Sequence, residues 1–150
     1  MNTKKEQLIQ AAAELFEEQG YHATGLAQIL KRSQTPKGSL YYYFPDGKQE
    51  LAVATVHYAA ETLAGRIRSG LEESEDLSEA FAGLIRMIAR QIERSGYKSG
   101  GPLTALAMET ATSDPEINQA CRDAFQMIRE PIEDRLRTSG IREAHVRSLG

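Results

Sequence analysis

The fold is decided by one short stretch, Thr35-Pro36-Lys37-Gly38-Ser39-Leu40-Tyr41-Tyr42-Tyr43-Phe44. Thr35 and Pro36 are typical of an N-cap and a first helical residue, where the missing N–H of proline costs nothing. The segment 44–47 (Phe-Pro-Asp-Gly) is typical of a helix end. The sequence therefore predicts a helix that starts at Pro36 and runs through Lys37 to about Tyr43.

A second short helix precedes this one. Thr24 offers an N-cap, and apolar residues at positions 26, 29 and 30 share one face of the helix. Only residues 32–35 separate the two helices, and a longer helix from Thr3 to Gly20 comes before them. Two short helices joined by a tight turn form the helix-turn-helix pattern, whose second helix fits the major groove of DNA.

The charge around these helices differs from the charge of the whole chain. The 150 residues carry 18 Lys and Arg against 21 Asp and Glu, a net charge of −3, which does not indicate nucleic acid. Between Lys31 and Lys48, however, four cations face one anion, Asp46. Lysine neutralises phosphate, and serine and tyrosine hydroxyls bond to it, so this segment suits a DNA surface.

The tyrosines also have a structural interpretation, because aromatic clusters on helices often belong to a core. Leu40, Tyr41 and Phe44 are predicted to be core residues. Three successive tyrosines span about 200° of a helix, so at least one faces outward. Gly38 costs about 1 kcal/mol inside a helix, which is tolerable where the backbone approaches another molecule. A helical ligand carrier or enzyme with a structural tyrosine cluster therefore stays open as an alternative.

Helical signals continue to the end of the chain, and strand alternation is nearly absent. The predicted helices run from Asp46 to about Ser74, from Asp76 to Gly96, from Leu103 to about Thr112, from Asp114 to Gly140 with a kink at Pro131, and from Arg142 to Leu149. An all-α fold is expected. No signal peptide or membrane-spanning stretch is present, so we predict a cytoplasmic protein without a membrane partner.

Three segments, 24–30, 36–44 and 48–51, resemble the N-terminal DNA-binding domain of the TetR family of transcriptional repressors. The extra residue between Phe44 and Lys48, together with segment 101–109, is similar to the LmrA/YxaF-like branch. Two departures from the pattern are Gln34, where the turn usually has glycine, and Gly101, where the branch has cysteine. The first requires a left-handed glutamine or another turn geometry.

The resemblance implies two domains: a three-helix DNA-binding domain, 1–47, and a helical effector-binding and dimerisation domain, 48–150. It further implies a homodimer that represses from a palindromic double-stranded DNA operator and leaves it when a small hydrophobic effector binds. A constitutive DNA-binding protein without an effector is a further alternative. The family's two C-terminal dimerisation helices have no room after Gly140, so the second domain is expected to be incomplete.

The resemblance also implies nine DNA-contacting positions: Thr24, Gly25, Lys37, Gly38, Ser39, Tyr41, Tyr42, Tyr43 and Lys48. Among them, Lys37, Gly38 and Tyr42 match positions that read base edges or the nearby backbone. Lys48 matches one that holds phosphate.

Candidate effector-binding residues follow from side-chain chemistry, since methionine adapts its shape and aromatic rings stack. They are His57, Tyr58, Phe81, Met87, Met108, Phe125 and Met127. No catalytic motif, metal-ligand spacing or cofactor loop is found, so we predict no enzyme activity, no metal and no cofactor. The single cysteine, Cys121, falls on an apolar helix stripe and is predicted to be inert.

Overall fold

Seven α-helices and no strand make up the part of the chain that this computed structural model describes, residues 3–94, 96 and 101–139. The helices are α1 Lys4–Gln19, α2 Leu26–Ser33, α3 Lys37–Tyr43, α4 Lys48–Glu72, α5 Leu77–Arg94, α6 Pro102–Thr110 and α7 Pro115–Thr138. The predicted all-α fold is confirmed. The helix predicted from Arg142 to Leu149 lies outside the described residues.

Local capping signals set three of the helix starts as predicted, those of α1, α5 and α7; at α5 the Asp76 carboxylate accepts the Glu79 N–H at 2.8 Å. The hydroxyl of Thr3 accepts the Glu6 N–H at 3.2 Å, and the Glu6 carboxylate accepts the Thr3 N–H at 2.7 Å. At α7, the Asp114 carboxylate accepts the Ile117 N–H at 3.0 Å. Each cap satisfies backbone donors that the first helical turn leaves without an intrahelical partner.

The predicted start of α2 is wrong by one residue. The N-cap is Gly25, whose N–H donates to the Gln28 side chain at 2.8 Å. Thr24 does not cap the helix, because its buried hydroxyl donates back to the carbonyl of Gly20 at 2.7 Å. Thr24 therefore closes the α1–α2 loop.

The caps of α3 and α4 also lie one residue later than predicted. Pro36 caps α3, and the hydroxyl of Thr35 lies 2.7 Å from that of Ser33 within the preceding turn. Gly47, not Asp46, caps α4 with φ of +72°, which glycine adopts without a Cβ penalty. Before α3, hydrogen bonding of the Thr35 hydroxyl within the turn accounts for the displaced cap. Before α4, the N–H of Asp46 donates to the Glu50 carboxylate at 3.1 Å.

One main hydrophobic core joins α1, α2, α3, α4, α6 and α7. Its largest fully buried members are Leu8, Phe16, Ile29, Leu40, Phe44, Leu51, Val56, Leu106 and Ile117. A second, smaller cluster lies between α4 and α5 and consists of Ile67, Leu71, Ala80 and Leu84. Because the main core includes residues from both sides of position 47, the division into 1–47 and 48–150 stays a prediction.

The short helix α6 is held against the N-terminal helices at both ends. The Gly101 N–H donates to the Glu17 carboxylate at 3.2 Å, and the His22 N–H donates to the Glu109 carboxylate at 3.0 Å. Leu106 on the same helix is fully buried in the main core. A displacement of α6 would therefore be felt in the loop before α2.

Cys121 lies on α7 inside the main core and is 3% exposed. Burial raises the pKa of its thiol, because the protein interior disfavours the charged thiolate. A protonated, buried thiol is a poor nucleophile, which supports the prediction that Cys121 is inert. Within the described residues, no helix is both long enough and apolar enough to span a membrane.

Candidate nucleic-acid interface

The turn between α2 and α3 has the geometry that its unusual glutamine requires. Gln34 follows α2 with φ of 54° and ψ of 31°, in the left-handed region. A non-glycine residue there is uncommon. Of the two predicted alternatives, a left-handed glutamine or another turn geometry, the structure has the first, and this residue lets α3 leave α2 after only three residues.

Two apolar side chains anchor α3 to the rest of the molecule. Leu40 is fully buried, and Phe44, at the C-cap, is 2% exposed. The prediction that Tyr41 joins them is wrong, since its side chain is 45% exposed. One residue along a helix turns by about 100°, which carries Tyr41 out of the buried face of Leu40. Its ring instead lies 5.8 Å from the ammonium of Lys37.

The other two tyrosines divide between solvent and core. Tyr42 is 78% exposed, which confirms that at least one tyrosine faces outward. Tyr43 is half-buried and packs against the main core. The two rings meet edge to face with centroids 4.9 Å apart. Tyr43 thus supports the exposed ring of Tyr42 from the side of the protein.

Gly38 has open space where a side chain would be. No atom lies within 4 Å of the position that a Cβ would occupy, and the residue is exposed. Packing within the described chain therefore gives no reason for glycine at this helical position. The exposed surface of α3, formed by Lys37, Gly38, Tyr41 and Tyr42, is called the α3 face below.

The local charge surplus is smaller than the sequence count indicates. Arg32 forms ion pairs with Glu14 and Glu18 on α1, both at 2.9 Å. The hydrogen bond from Arg32 lowers the pKa of Glu18, so that carboxylate stays ionised. Two acids that are distant in sequence thus neutralise one of the four cations. Lys31 and Lys37 remain exposed.

Lys48 makes a contact that sequence reasoning missed. Its ammonium lies 4.3 Å from the centroid of the Tyr21 ring, a cation–π geometry. Partial burial lowers its pKa, and the charge of Glu109 acts in the opposite direction. Tyr21 follows α1 and Lys48 begins α4, so no local pattern could have indicated this pair.

The remaining predicted contacts differ in exposure. Thr24 is 1% exposed, so its side chain belongs to the core and not to a DNA-contacting surface, which corrects that prediction. Gly25 is exposed at the start of α2, and Ser39 is half-buried on α3. These two positions stay predicted contacts.

Two families of known proteins match the chain. Residues 8–55 match the family described as "Bacterial regulatory proteins, tetR family". Residues 78–150 match "Transcriptional regulator LmrA/YxaF-like, C-terminal domain". The regulator YxaF of Bacillus subtilis is 37% identical over 97% of this chain and 76% of its own length. The regulator LmrA of the same organism is 34% identical over 95% of this chain and 76% of its own.

The chain belongs to the TetR family. It is a transcriptional regulator of the LmrA/YxaF-like branch. Its fold also matches the reduced form of NemR from E. coli, with a TM-score of 0.80 and 21% identity over 90% of this chain and 70% of that one. The predicted resemblance, drawn from three short segments and the segment 101–109, is confirmed along most of the chain.

In this TetR-family chain, four of the predicted effector residues pack against the two hydrophobic clusters. Tyr58 and Met127 pack against the main core, and the Tyr58 hydroxyl accepts a hydrogen bond from Gln10 at 3.3 Å. Phe81 and Met87 pack against the smaller cluster. These contacts are the ordinary packing of a helical domain.

The other three predicted effector residues are scattered. Met108 is 79% exposed on α6, Phe125 is 50% exposed on α7, and His57 is half-buried on α4. Met87, besides its contact with the smaller cluster, lines a cleft between α4 and α5. The described residues therefore do not bring the seven candidates together at one site. Effector binding by any of them stays a prediction.

Proposed function

We propose that this TetR-family regulator is a homodimeric cytoplasmic repressor that binds a palindromic operator through the α3 face and releases it when a small effector binds. The observation that carries the proposal is Tyr42, 78% exposed on a helix that Leu40 and Phe44 anchor in the core. An exposed aromatic ring beside a lysine suits the edge of a base and its phosphate. The proposal assigns the protein no catalysed reaction.

The release mechanism that we propose runs through α6. This helix contacts α4 and α7 in the effector-binding half and touches Glu17 and His22 in the N-terminal half. An effector that binds better when α6 is displaced would favour a second arrangement of the N-terminal helices. In a dimer, the two α3 helices must reach successive major grooves, about 34 Å apart, so a small rearrangement is enough to lower operator affinity.

A mobility-shift assay on the DNA upstream of the protein's own gene tests the proposal. A repressor gives a specific shift that unlabelled random DNA does not remove, and one member of a small-molecule panel both raises the melting temperature and releases the DNA. A ligand carrier gives no specific shift. A constitutive DNA-binding protein gives a shift that no member of the panel reverses.

Replacing Gly38 with alanine is expected to have opposite effects on stability and on DNA binding. Alanine fits the open space and favours a helix by up to about 1 kcal/mol, so the melting temperature should rise. The added methyl group lies on the α3 face, where it would hold the backbone away from DNA. Thermal unfolding and a mobility-shift titration measure the two effects.

The matched control for that experiment is Gly65→Ala on α4. Gly65 also has no atom within 4 Å of its Cβ position, but it lies far along α4 from the α3 face. Gly65 lines a cleft between α4 and α5, so this comparison is made with no small molecule present; the control should then gain stability and keep wild-type DNA affinity. Unchanged affinity in Gly38→Ala as well would mean that DNA does not approach the α3 backbone.

Replacing Lys48 with alanine is expected to weaken binding to all DNA sequences alike. Each phosphate contact adds about 1 to the slope of log affinity against log salt concentration, and a homodimeric variant, which loses the contact in both subunits, should lose about 2. Salt titrations with specific and random DNA measure the slope. Tyr21→Phe keeps the ring under the ammonium and should behave like wild type. An unchanged slope in Lys48→Ala would show that Lys48 does not contact phosphate and that its role is the contact with the Tyr21 ring.

A further inference from the structure

A cleft of about 810 Å³ lies between α4 and α5, well away from the α3 face. Four arginines line it, Arg66 on α4 and Arg86, Arg90 and Arg94 on α5. The last three recur at intervals of four residues, so they follow one side of α5 and face the same opening. This site is called the arginine cleft below.

The four arginines have no acidic partner in the described part of the chain. Elsewhere Arg32, Arg129 and Arg137 form ion pairs, but none of the cleft arginines does so with residues 3–94, 96 and 101–139. Glu61 and Glu73 also line the cleft, so its four positive charges exceed its negative charges by two. The chain as a whole has a net charge of −3. The surplus is therefore a local property of this site.

The floor of the cleft is apolar, and glycines without side chains line its walls. Leu84 is 6% exposed, and Met87 beside it is half-buried. Gly65 lines the α4 wall with no atom within 4 Å of its Cβ position, and Gly83 lines the α5 wall. The cleft thus offers cationic groups at its rim and apolar contact below them.

These arginines do not serve the DNA-binding end of the molecule. Arg66 follows Lys48 by 18 residues on the same helix. At 1.5 Å per residue the two positions are about 27 Å apart along the axis. A duplex seated on the α3 face would therefore not reach the arginine cleft.

We propose that the arginine cleft binds a small amphipathic organic anion. The guanidinium groups bind its carboxylate or phosphate group, and its apolar part covers Leu84 and Met87. Guanidinium groups form paired hydrogen bonds with either anion, and the cleft volume is within the range of small-molecule sites. The inference rests on the proposed function, because it assigns the chemical class of the effector.

Isothermal titration calorimetry without DNA tests the site directly. Decanoate and decyl phosphate, both below their micelle concentrations, are the probes, and decanol is the neutral control. At least one anion should bind saturably, more weakly at high salt, while decanol should not bind in the same range. Comparing the two anions shows which head group the cleft prefers.

The test variant carries Arg86→Gln and Arg90→Gln together, and the control is Arg122→Gln on α7. All three arginines are exposed, so both proteins should fold, which thermal unfolding checks. The double variant should bind the anion at least tenfold more weakly, and the control should match wild type. Equal binding in the double variant, or equal binding of decanol, would overturn the proposal.

A mobility-shift assay in the presence of the bound anion separates the two proposals. Release of the DNA by the anion in wild type, and not in the double variant, supports the anion as effector. A specific DNA shift without anion binding would support the proposed DNA-binding function and contradict the proposed anion site in the arginine cleft. Anion binding without any specific DNA shift would contradict the proposed repressor function and support the proposed anion site.

Discussion

Replacing Tyr42 with alanine is expected to abolish specific operator binding and to leave the free energy of unfolding almost unchanged. The side chain is 78% exposed, and its described aromatic contact is the edge of Tyr43, so the core loses nothing. A good base contact is worth about 1–3 kcal/mol, and a homodimer loses it twice, roughly 2–6 kcal/mol in all. Specific and random binding differ by about 4–10 kcal/mol, so the upper part of that loss removes most or all of the preference for the operator.

A footprint on the operator and a urea titration together measure this result. Tyr42→Phe tests the ring and the hydroxyl separately. If the ring packs on a base, the phenylalanine variant keeps the footprint. If the hydroxyl donates a hydrogen bond to DNA, the variant loses the footprint. A wild-type footprint from Tyr42→Ala would remove Tyr42 from the interface. A large loss of stability in that variant would show that the ring is structural.

Local signals were sufficient to predict the elements that place α3. The capping pair Thr3 and Glu6 predicts the start of α1, and Gln34 at a turn position where the family usually has glycine leaves a left-handed residue as one of two alternatives. Both features depend on residues within a few positions of one another. Helix starts were wrong by one residue where a turn uses a hydroxyl internally, as Thr24 does with the carbonyl of Gly20.

The composition of the surface could not be predicted in the same way, because it depends on contacts between distant segments. Lys48 and Tyr21 are 27 positions apart, and His22 and Glu109 are 87 apart. In the sequence Arg32 counts as an unpaired cation, whereas in the fold it forms ion pairs with two glutamates of α1. Residue type and helical period do not reveal such pairs. The effector residues show the same limit, since exposure decides which of them can face a ligand.

Tyr41 shows why a periodic pattern alone misplaces an aromatic residue. Leu40 and Phe44 are four positions apart and share the buried face, whereas Tyr41 is adjacent to Leu40 and turns away from it. Side-chain chemistry favours burial of all three. Helix geometry allows burial of two, and the third becomes part of the α3 face.

Replacing Phe44 with alanine is expected to lower the free energy of unfolding by about 3–5 kcal/mol, the usual cost of removing a buried phenylalanine ring. Phe44 is 2% exposed at the C-cap of α3, and its ring belongs to the core that α3 shares with α1. Its N–H keeps the bond to the Leu40 carbonyl, so the loss comes from the ring. Urea or thermal unfolding measures it, and Tyr41→Ala is the control, with an expected loss below about 1 kcal/mol.

The two aromatic variants separate the regulator from the ligand carrier with a structural tyrosine cluster. Phe44→Ala weakens DNA binding only in proportion to the unfolded fraction, so binding should return under conditions that restore the fold, such as low temperature or a stabilising osmolyte. Tyr42→Ala lacks binding while fully folded, and no such condition restores it. In a carrier whose tyrosines are structural, both variants would lose stability and neither would change any specific DNA complex. Recovery of operator binding by Tyr42→Ala on stabilisation would therefore assign Tyr42 to the core, against its 78% exposure.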